Sequence, residues 1–312
     1  MDKSAKIYVA GHGGMVGSAI CRALKRQGYN NIIGRRSSEL DLRRQADVEK
    51  FFAAEKPEYV FLAAAIVGGV LANMEHPVEF LHENILIEMN VLKQSFDNNV
   101  KKLMFIGAGS IYPRDAVQPQ QENSLLTGVL DKSNEVYALA KIAGIKYCEY
   151  ANKEYNKNFI SVMPTNLYGV NDNYNDNNSH VVPSMIRKFH EAKTTNSPYV
   201  TLWGTGKPTR DFLYVDDLAE ACVFLMETYD GSQGIVNIGS GKEQSIAELA
   251  AAVKNAVGYT GEIRYDATKP DGVPRRSLDI TKLRSLGWKK EITPLAEGLK
   301  ITYEDYISKY SG

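Results

Sequence analysis

The chain has 312 residues, with 44% apolar and 24% charged side chains, and its 37 basic residues balance 37 acidic ones. That length, roughly twice a common single domain, and that composition bury a sizeable core and exclude a miniature, fibrous or largely disordered protein. The charge balance leaves no global field to draw in nucleic acid or an anionic membrane, so neither is expected as a partner.

In chain order, short β-branched or aromatic runs at 7–10, 31–33, 59–64, 103–107 and 159–164 predict strands. Helical patterns lie between them. Over 15–27, Val16, Ala19, Ile20, Ala23 and Leu24 recur on one face, and over 85–96, Ile85, Met89, Leu92 and Phe96 do the same. The alternation predicts an α/β fold with a doubly wound parallel sheet. After Tyr168 the stretch 169–179, GVNDNYNDNNS, reads as a polar loop where a second, smaller α/β region begins. A run at 234–238 returns to the sheet, and Ser245 caps a helix over 245–257. The expected division is therefore 1–170, rejoined by 211–239, and 171–312. Cys21, Cys148 and Cys222 lie far apart, with no CxxC pair and no histidine at ligand spacing, so neither a metal nor a disulfide is expected. The apolar stretch 59–72 falls short of the roughly 18 residues of a membrane span. The apolar run 7–10 is too short for a signal peptide, which makes the cytoplasm the expected location.

Directly after the first strand, Gly11-His12-Gly13-Gly14-Met15-Val16-Gly17 opens a helix with glycines at GxxGxxG spacing. Gly11 permits the tight turn, Gly14 lets a pyrophosphate approach bare backbone, and Gly17 lets the helix pack close to the strand. The helix N-terminus at Met15 and Val16 then faces the phosphates of a dinucleotide. Past the second strand, Arg35 and Arg36 stand where an acidic residue would take the ribose hydroxyls of NAD, which favours NADP(H). Asp41 and Leu42 follow, placed to sit over the adenine. Farther on, Tyr137 and Lys141 are four residues apart and share one helix face. An ammonium beside a phenol lowers the phenol's pKa, so this pair can pass a proton to a carbonyl oxygen. Asn166 follows the strand-ending Pro164, at the carboxyl end of the sheet where ligands bind.

The chain is similar to the extended short-chain dehydrogenase/reductase family, and within it resembles the GDP-L-fucose synthase-like reductases of GDP-4-keto-6-deoxy sugars. The resemblance rests on VAGHGGMVGS at 9–18, LAAA at 62–65, VGG at 67–69, IYP at 111–113, NEVYALAKIAGI at 134–145 and VMPTNLYG at 162–169. It continues with NSHVV at 178–182, RDFLYVDD at 210–217 and KPDGVPR at 269–275. It implies a Rossmann-type domain binding NADP(H), a second domain binding a GDP-linked 4-keto sugar, and a homodimer. Tyr137 is implied as the acid that protonates the C4 oxygen, and Lys141 as the residue that holds the nicotinamide ribose. Ala63, Ala64, Ala65, Pro164, Asn166, Leu167 and His180 are implied beside the cofactor. Ser110, Asn166, Val181, Arg187, Trp203, Arg210 and Lys269 are implied beside the sugar nucleotide.

Two positions depart from the pattern. Ala108 stands where the family has a hydroxyl, and Ser110 where it has the cysteine that works with the histidine, here His180, in epimerisation. If the segment is extended, residues 108 and 110 share a face, so that Ser110 reaches the substrate in place of residue 108. A serine hydroxyl is a poor acid or base at carbon. The expectation is therefore a C4 reductase with weakened or absent epimerase activity. A bifunctional 3,5-epimerase and 4-reductase, and a catalytically silent cofactor-binding regulator, are the alternatives.

Overall fold

The computed structural model describes residues 1–68, 70–175 and 179–310, so Gly69, Asp176, Asn177 and Asn178 of the strings above lie outside the described residues. The first half lays down strands β1 (Ile7–Ala10), β2 (Ile32–Ile33), β3 (Tyr59–Leu62), β4 (Lys102–Ile106) and β5 (Phe159–Pro164). Helices α1 (Met15–Arg26), α2 (Gln45–Glu55), α3 (Val70–Glu75), α4 (Pro77–Asp97) and α5 (Glu135–Tyr155) fall between them. The chain continues through β6 (Asn166–Tyr168), α6 (Val181–Thr194), β7 (Tyr199–Trp203), β8 (Thr209–Tyr214) and α7 (Val215–Thr228). It ends with β9 (Val236–Ile238), β10 (Glu243–Ser245), α8 (Ile246–Val257), β11 (Glu262–Asp266), β12 (Arg275–Arg276), α9 (Thr281–Ser285) and α10 (Leu295–Tyr310).

Six strands form one sheet in the order β2-β1-β3-β4-β5-β9. Every pairing is parallel, with Ile7 opposite Tyr59, Leu103 opposite Phe159 and Val162 opposite Val236. The apolar runs of β1, β4 and β5 are buried along their whole length because helices cover both faces. Alternation sends Ile7 and Val9 to a layer shared with Ile20 and Leu24 of α1 and with Leu218 and Leu225 of α7. Tyr8 and Ala10 go to the opposite layer, against Phe52 of α2, Leu92 of α4 and Ile145 of α5. This is the doubly wound, Rossmann-type sheet that the sequence predicts. The smaller α/β region is interleaved with it: β10, β8 and β12 form a second sheet with β6 beside β8, and β7 pairs with β11. The core of this region lies between α6, α8 and α10, around Ile186, Phe189, Leu249, Val253 and Leu299.

Three local devices position the working elements. A Cβ on Gly144 of α5 would come within 2.4 Å of the Phe105 ring, so the glycine seats α5 directly on β4. Larger side chains there cost about 1–3 kcal/mol of overpacking. Lys102, buried on β4, donates from Nζ to the carbonyls of Leu225, Met226 and Tyr229, which ties the C-terminus of α7 to the sheet. Ser245 and Glu248 close a reciprocal capping box on α8. The buried face of α4 is rotated from the expected one. Leu92 is buried, but Ile85, Met89 and Phe96 are only partly so, and the buried stripe runs through Phe80, Asn84, Ile87, Glu88, Val91 and Ser95. Among its polar members, Asn84 and Glu88 each have a partner on the covered side, the Ile66 backbone for the one and Lys141 for the other.

Candidate active site

The glycine turn has the geometry a dinucleotide phosphate requires. Gly11 has a φ of 84°, and a Cβ there would lie 2.8 Å from the amide nitrogen of Ala64, so Ala63 and Ala64 at the end of β3 close tightly over it. A Cβ on Gly17 would meet the Gly11 carbonyl at 2.1 Å, which is why α1 can rise so close to β1. Around Gly14 the space is open: the only neighbour within reach is the Gly11 carbonyl at 3.5 Å. No side chain caps α1, so the amides of its first turn, at Met15 and Val16, stay available to an anion. The loop that carries Ala65 is braced by buried Asn84, whose amide receives from the Ile66 N–H at 2.9 Å and donates to the Ile66 and Phe80 carbonyls at 3.0 and 2.7 Å.

The two arginines after β2 divide. Arg35 is engaged, forking between its neighbour's carbonyl at 2.9 Å and Glu55 at 2.6 Å, with its guanidinium over the Phe51 ring. Arg36 is exposed, and its guanidinium makes no hydrogen bond or ion pair among the described residues. It is the cation free to meet a phosphate. Asp41 is clamped by Arg43 at 2.8 Å, and that hydrogen-bonded guanidinium holds its carboxyl below the usual range. Leu42 is partly buried, and its carbonyl accepts from Asn90.

At the centre, α5 carries Tyr137 in its first turn and Lys141 one turn later. The Lys141 ammonium is fully buried. It donates to the Ile106 carbonyl at the end of β4 at 3.0 Å and sits 3.0 Å from a carboxylate oxygen of Glu88 on α4, which is itself without exposure. Its nitrogen lies 5.5 Å from the centre of the Tyr137 ring and 4.8 Å from that of Phe105. Burial raises the Tyr137 pKa, Lys141 opposes it and Glu88 adds to it, leaving the phenol above its ordinary value. For Lys141, burial works against the charge, but Glu88 and Tyr137 outweigh it and hold the ammonium above its ordinary pKa. The sequence-based expectation that Lys141 would leave Tyr137 with a lowered pKa is thus corrected. Burial outweighs the lysine's field, and Glu88, a carboxylate that sequence reasoning overlooked, adds to the rise.

The 3₁₀ turn Gly109–Ile111 packs against α5, and Ser110 Oγ is buried there with no hydrogen-bond partner. Ala108 is extended but Gly109 already begins the turn, so residues 108 and 110 do not share a strand face. Ser110 therefore does not stand in for a hydroxyl at 108 through strand geometry, and that expectation is withdrawn. His180 occupies the position before α6; it is reachable by water, yet the surrounding protein desolvates it enough to lower its pKa, which leaves the ring neutral near pH 7. Val181 begins α6. Pro164 ends β5, Leu167 lies in β6, and the Asn166 amide donates to the Asp211 carbonyl at 2.9 Å.

The smaller region gathers a separate set. Lys269 lies over the exposed ring of Trp203 at 5.5 Å. Arg210, on β8, donates to the Thr209 carbonyl. Burial, followed by the nearby charge of Arg276, lowers its pKa. Arg276 is itself held by Asp131 at 3.0 Å. Two guanidiniums beside one carboxylate leave an excess positive charge suited to an anion. Arg187, on α6, pairs along its own helix with Glu191 at 3.6 Å. No cluster of three metal-ligating side chains occurs among the described residues, and no helix there is long and apolar enough to cross a membrane. A depression of about 710 Å³ bordered by Glu122, Lys146, Ile235 and Lys282 contains none of the residues above.

Comparison with known proteins decides what kind of site this is. The profile of the NAD dependent epimerase/dehydratase family matches residues 7–239, the span that contains the glycine turn and the Tyr137–Lys141 pair. The chain belongs to that family. The extended short-chain dehydrogenase/reductase character read from the sequence is the same conclusion. Among relatives of the family, the chain is 54% identical to a putative GDP-L-fucose synthase 2 of Arabidopsis thaliana over 98% of this chain and 93% of that protein. Among solved structures, a GDP-6-OMe-4-keto-L-xylo-heptose reductase from C. jejuni superposes with a TM-score of 0.93, at 38% identity over 99% of both chains. MlghC, a GDP-mannoheptose C4 reductase from Campylobacter jejuni with NADP bound, superposes with a TM-score of 0.89 at 40% identity, over 98% of this chain and 99% of that one.

Within this epimerase/dehydratase fold, Glu88, Asn84, Asp131 and Arg276 are the residues in contact with these clusters that sequence reasoning missed. A signal existed for the first two: Asn84 and Glu88 interrupt an otherwise apolar helix face one turn apart. For Asp131 and Arg276 there was none, because their pairing joins segments 145 residues apart.

Proposed function

We propose that the chain is an NADP(H)-dependent oxidoreductase that reduces the C4 ketone of a GDP-linked 4-keto sugar, and that the same site epimerises the flanking carbons, as in a bifunctional GDP-L-fucose synthase. The observation that carries the reduction is the cluster of half-buried Tyr137 with buried Lys141 and Glu88, at the same carboxyl end of the sheet as the glycine turn. Likeness to the named synthases and to the NADP-bound reductase supports substrate class and cofactor. The uncapped start of α1, the open space at Gly14 and the free Arg36 fit a dinucleotide bearing an extra phosphate. When bound, NADPH supplies hydride. The chain's residues do the rest: Tyr137, protonated at neutral pH, gives its proton to the C4 oxygen, and Lys141 stabilises the phenolate left behind. A silent regulator has no use for a fully buried lysine–carboxylate pair beside a tyrosine, so the regulatory reading is set aside.

Epimerisation requires a base for a proton on carbon next to the ketone, and neutral His180 is suited to that role. Ser110 in the cysteine's place favours the narrower reading, a reductase with weakened epimerase activity, whereas 54% identity to a named synthase favours the bifunctional one. Exchange in D₂O without NADPH separates them. Label entering at C3 and C5 of the GDP-4-keto sugar, lost in His180→Gln and slowing as pH falls below the histidine pKa, is the expected result. Reduction at C4 of a pre-epimerised substrate with no exchange, restored by Ser110→Cys, would establish the reductase-only reading.

A further inference from the structure

We propose that Glu88 is a positioning residue for the reduction: reaching across from α4, its carboxylate holds the Lys141 ammonium in place beside Tyr137 and keeps both groups protonated until the ketone receives its proton. The inference rests on the reading of Tyr137 as proton donor.

Glu88 lies at the middle of α4 with no exposure, and one of its oxygens is 3.0 Å from Lys141 Nζ. No hydrogen bond of ordinary geometry reaches either oxygen from any described group; burial pushes the carboxyl's own pKa up, and the Lys141 ammonium, its one charged partner among the described residues, pulls it back down. Burying such a pair is a poor source of stability, since well-packed apolar residues of similar volume usually do as well or better. Its use is better sought in what it does to its neighbours. The ionisable groups that feel Glu88 are Tyr137, Lys141 and Cys148, all on α5, while β4 offers only the Ile106 carbonyl and the Phe105 ring. Without an anion on the α4 side, the buried ammonium is left unbalanced, and either Lys141 gives up its own proton or Tyr137 ionises beside it. A phenolate has no proton to give. With Glu88 in place the lysine is already balanced, so Tyr137 stays a phenol, and Lys141 still stands close enough to stabilise the phenolate once the proton has left.

The sign of the effect does not depend on which group loses its proton first. An anion strengthens proton binding at both Tyr137 and Lys141, so removing it lowers the pH at which the coupled pair gives up its first proton. Full-length protein labelled with ¹³C at lysine Cε, with no sugar present, reports the Lys141 charge directly, its signal assigned by its absence in Lys141→Arg. In the wild type the ammonium signal is expected to persist to the alkaline limit of the folded state. In Glu88→Gln it is expected to titrate about 1–3 pH units lower, and in Glu88→Asp, whose carboxylate is withdrawn by one methylene, by a smaller amount in the same direction. The basic limb of kcat/KM for NADPH-dependent reduction is expected to move with it. An unchanged Lys141 titration in folded Glu88→Gln overturns the proposal, as does a lower kcat with the basic limb unmoved, which would make Glu88 a packing residue. If Glu88→Gln does not fold, Glu88→Asp decides on the same criteria. Failure of the wild type to reduce any GDP-4-keto sugar would defeat the functional reading alone, because the NMR titration needs no substrate.

Discussion

The corner where α4, β4 and α5 meet and the edge formed by β7, β8, β11 and β12 hold their charges in opposite ways. At the corner, Lys141 and Glu88 are sealed from water and the geometry is settled by packing, with Gly144 against Phe105 fixing the height of the helix. At the edge, Trp203 and Lys269 are exposed, and Arg276 pairs with Asp131 while the half-buried Arg210 nearby binds only a backbone carbonyl among the described residues. A proton donor must be aligned before its reaction, since reorganisation at that moment raises the barrier. A nucleotide-binding surface has no such need, and side chains that order as the ligand arrives serve it well. Under the proposed function, chemistry thus falls to a dry site and recognition to a more exposed one.

The largest effect expected of this division is on turnover. Tyr137→Phe removes only the hydroxyl, so steady-state NADPH oxidation should fall about 10²–10⁴-fold while fluorescence titration shows NADPH binding little changed; near-normal oxidation would break the comparison at its chemical end. Lys141→Met should act on the fold itself. It leaves Glu88 buried without a partner, which costs about 3–5 kcal/mol, and urea unfolding should show most of that loss restored in the double variant Lys141→Met with Glu88→Gln.

At the edge, losses should appear in binding instead. Arg210→Ala is expected to raise KM for the GDP-sugar about 10–100-fold, with kcat and the unfolding midpoint nearly unchanged. On the cofactor side, Arg36→Ala should narrow the preference for NADPH over NADH by about tenfold, and Arg35→Ala, whose side chain is already committed to Glu55, should do so less; calorimetry with both cofactors checks the order. The smallest effect concerns Glu243. Its hydrogen bonds from Arg275, together with those from Ser277 and Thr209, hold its carboxyl at about 2, below its ordinary value of 4.5. The stability it contributes is complete above that higher value and is lost as pH falls toward the lower one. Glu243→Gln should therefore cost at most about 1 kcal/mol at pH 7, with the gap from wild type closing on acidification.

Reading the sequence succeeded where burial is continuous. The runs at 7–10 and 159–164 match β1 and β5 in full because a strand covered on both faces must be apolar throughout. It failed where strands are short, polar and held by distant partners: β10 is Glu-Gln-Ser and β12 is two arginines, and nothing local marks either as a strand. The glycine turn was legible because its requirements are backbone requirements, set within seven residues. Glu88 was not, because the residue that gives it meaning is 53 positions away and lies on another helix.

The way the sheets share the chain has a mechanical consequence. A single residue, Thr165, separates β5 of the large sheet from β6 of the smaller one, and β8 runs without interruption into α7, which packs on the large sheet. Four residues then take the chain from β9 back across to β10. With several short crossings instead of one linker, any swing of one part against the other has to bend every crossing together, and no single cut at a crossing would separate the two sheets.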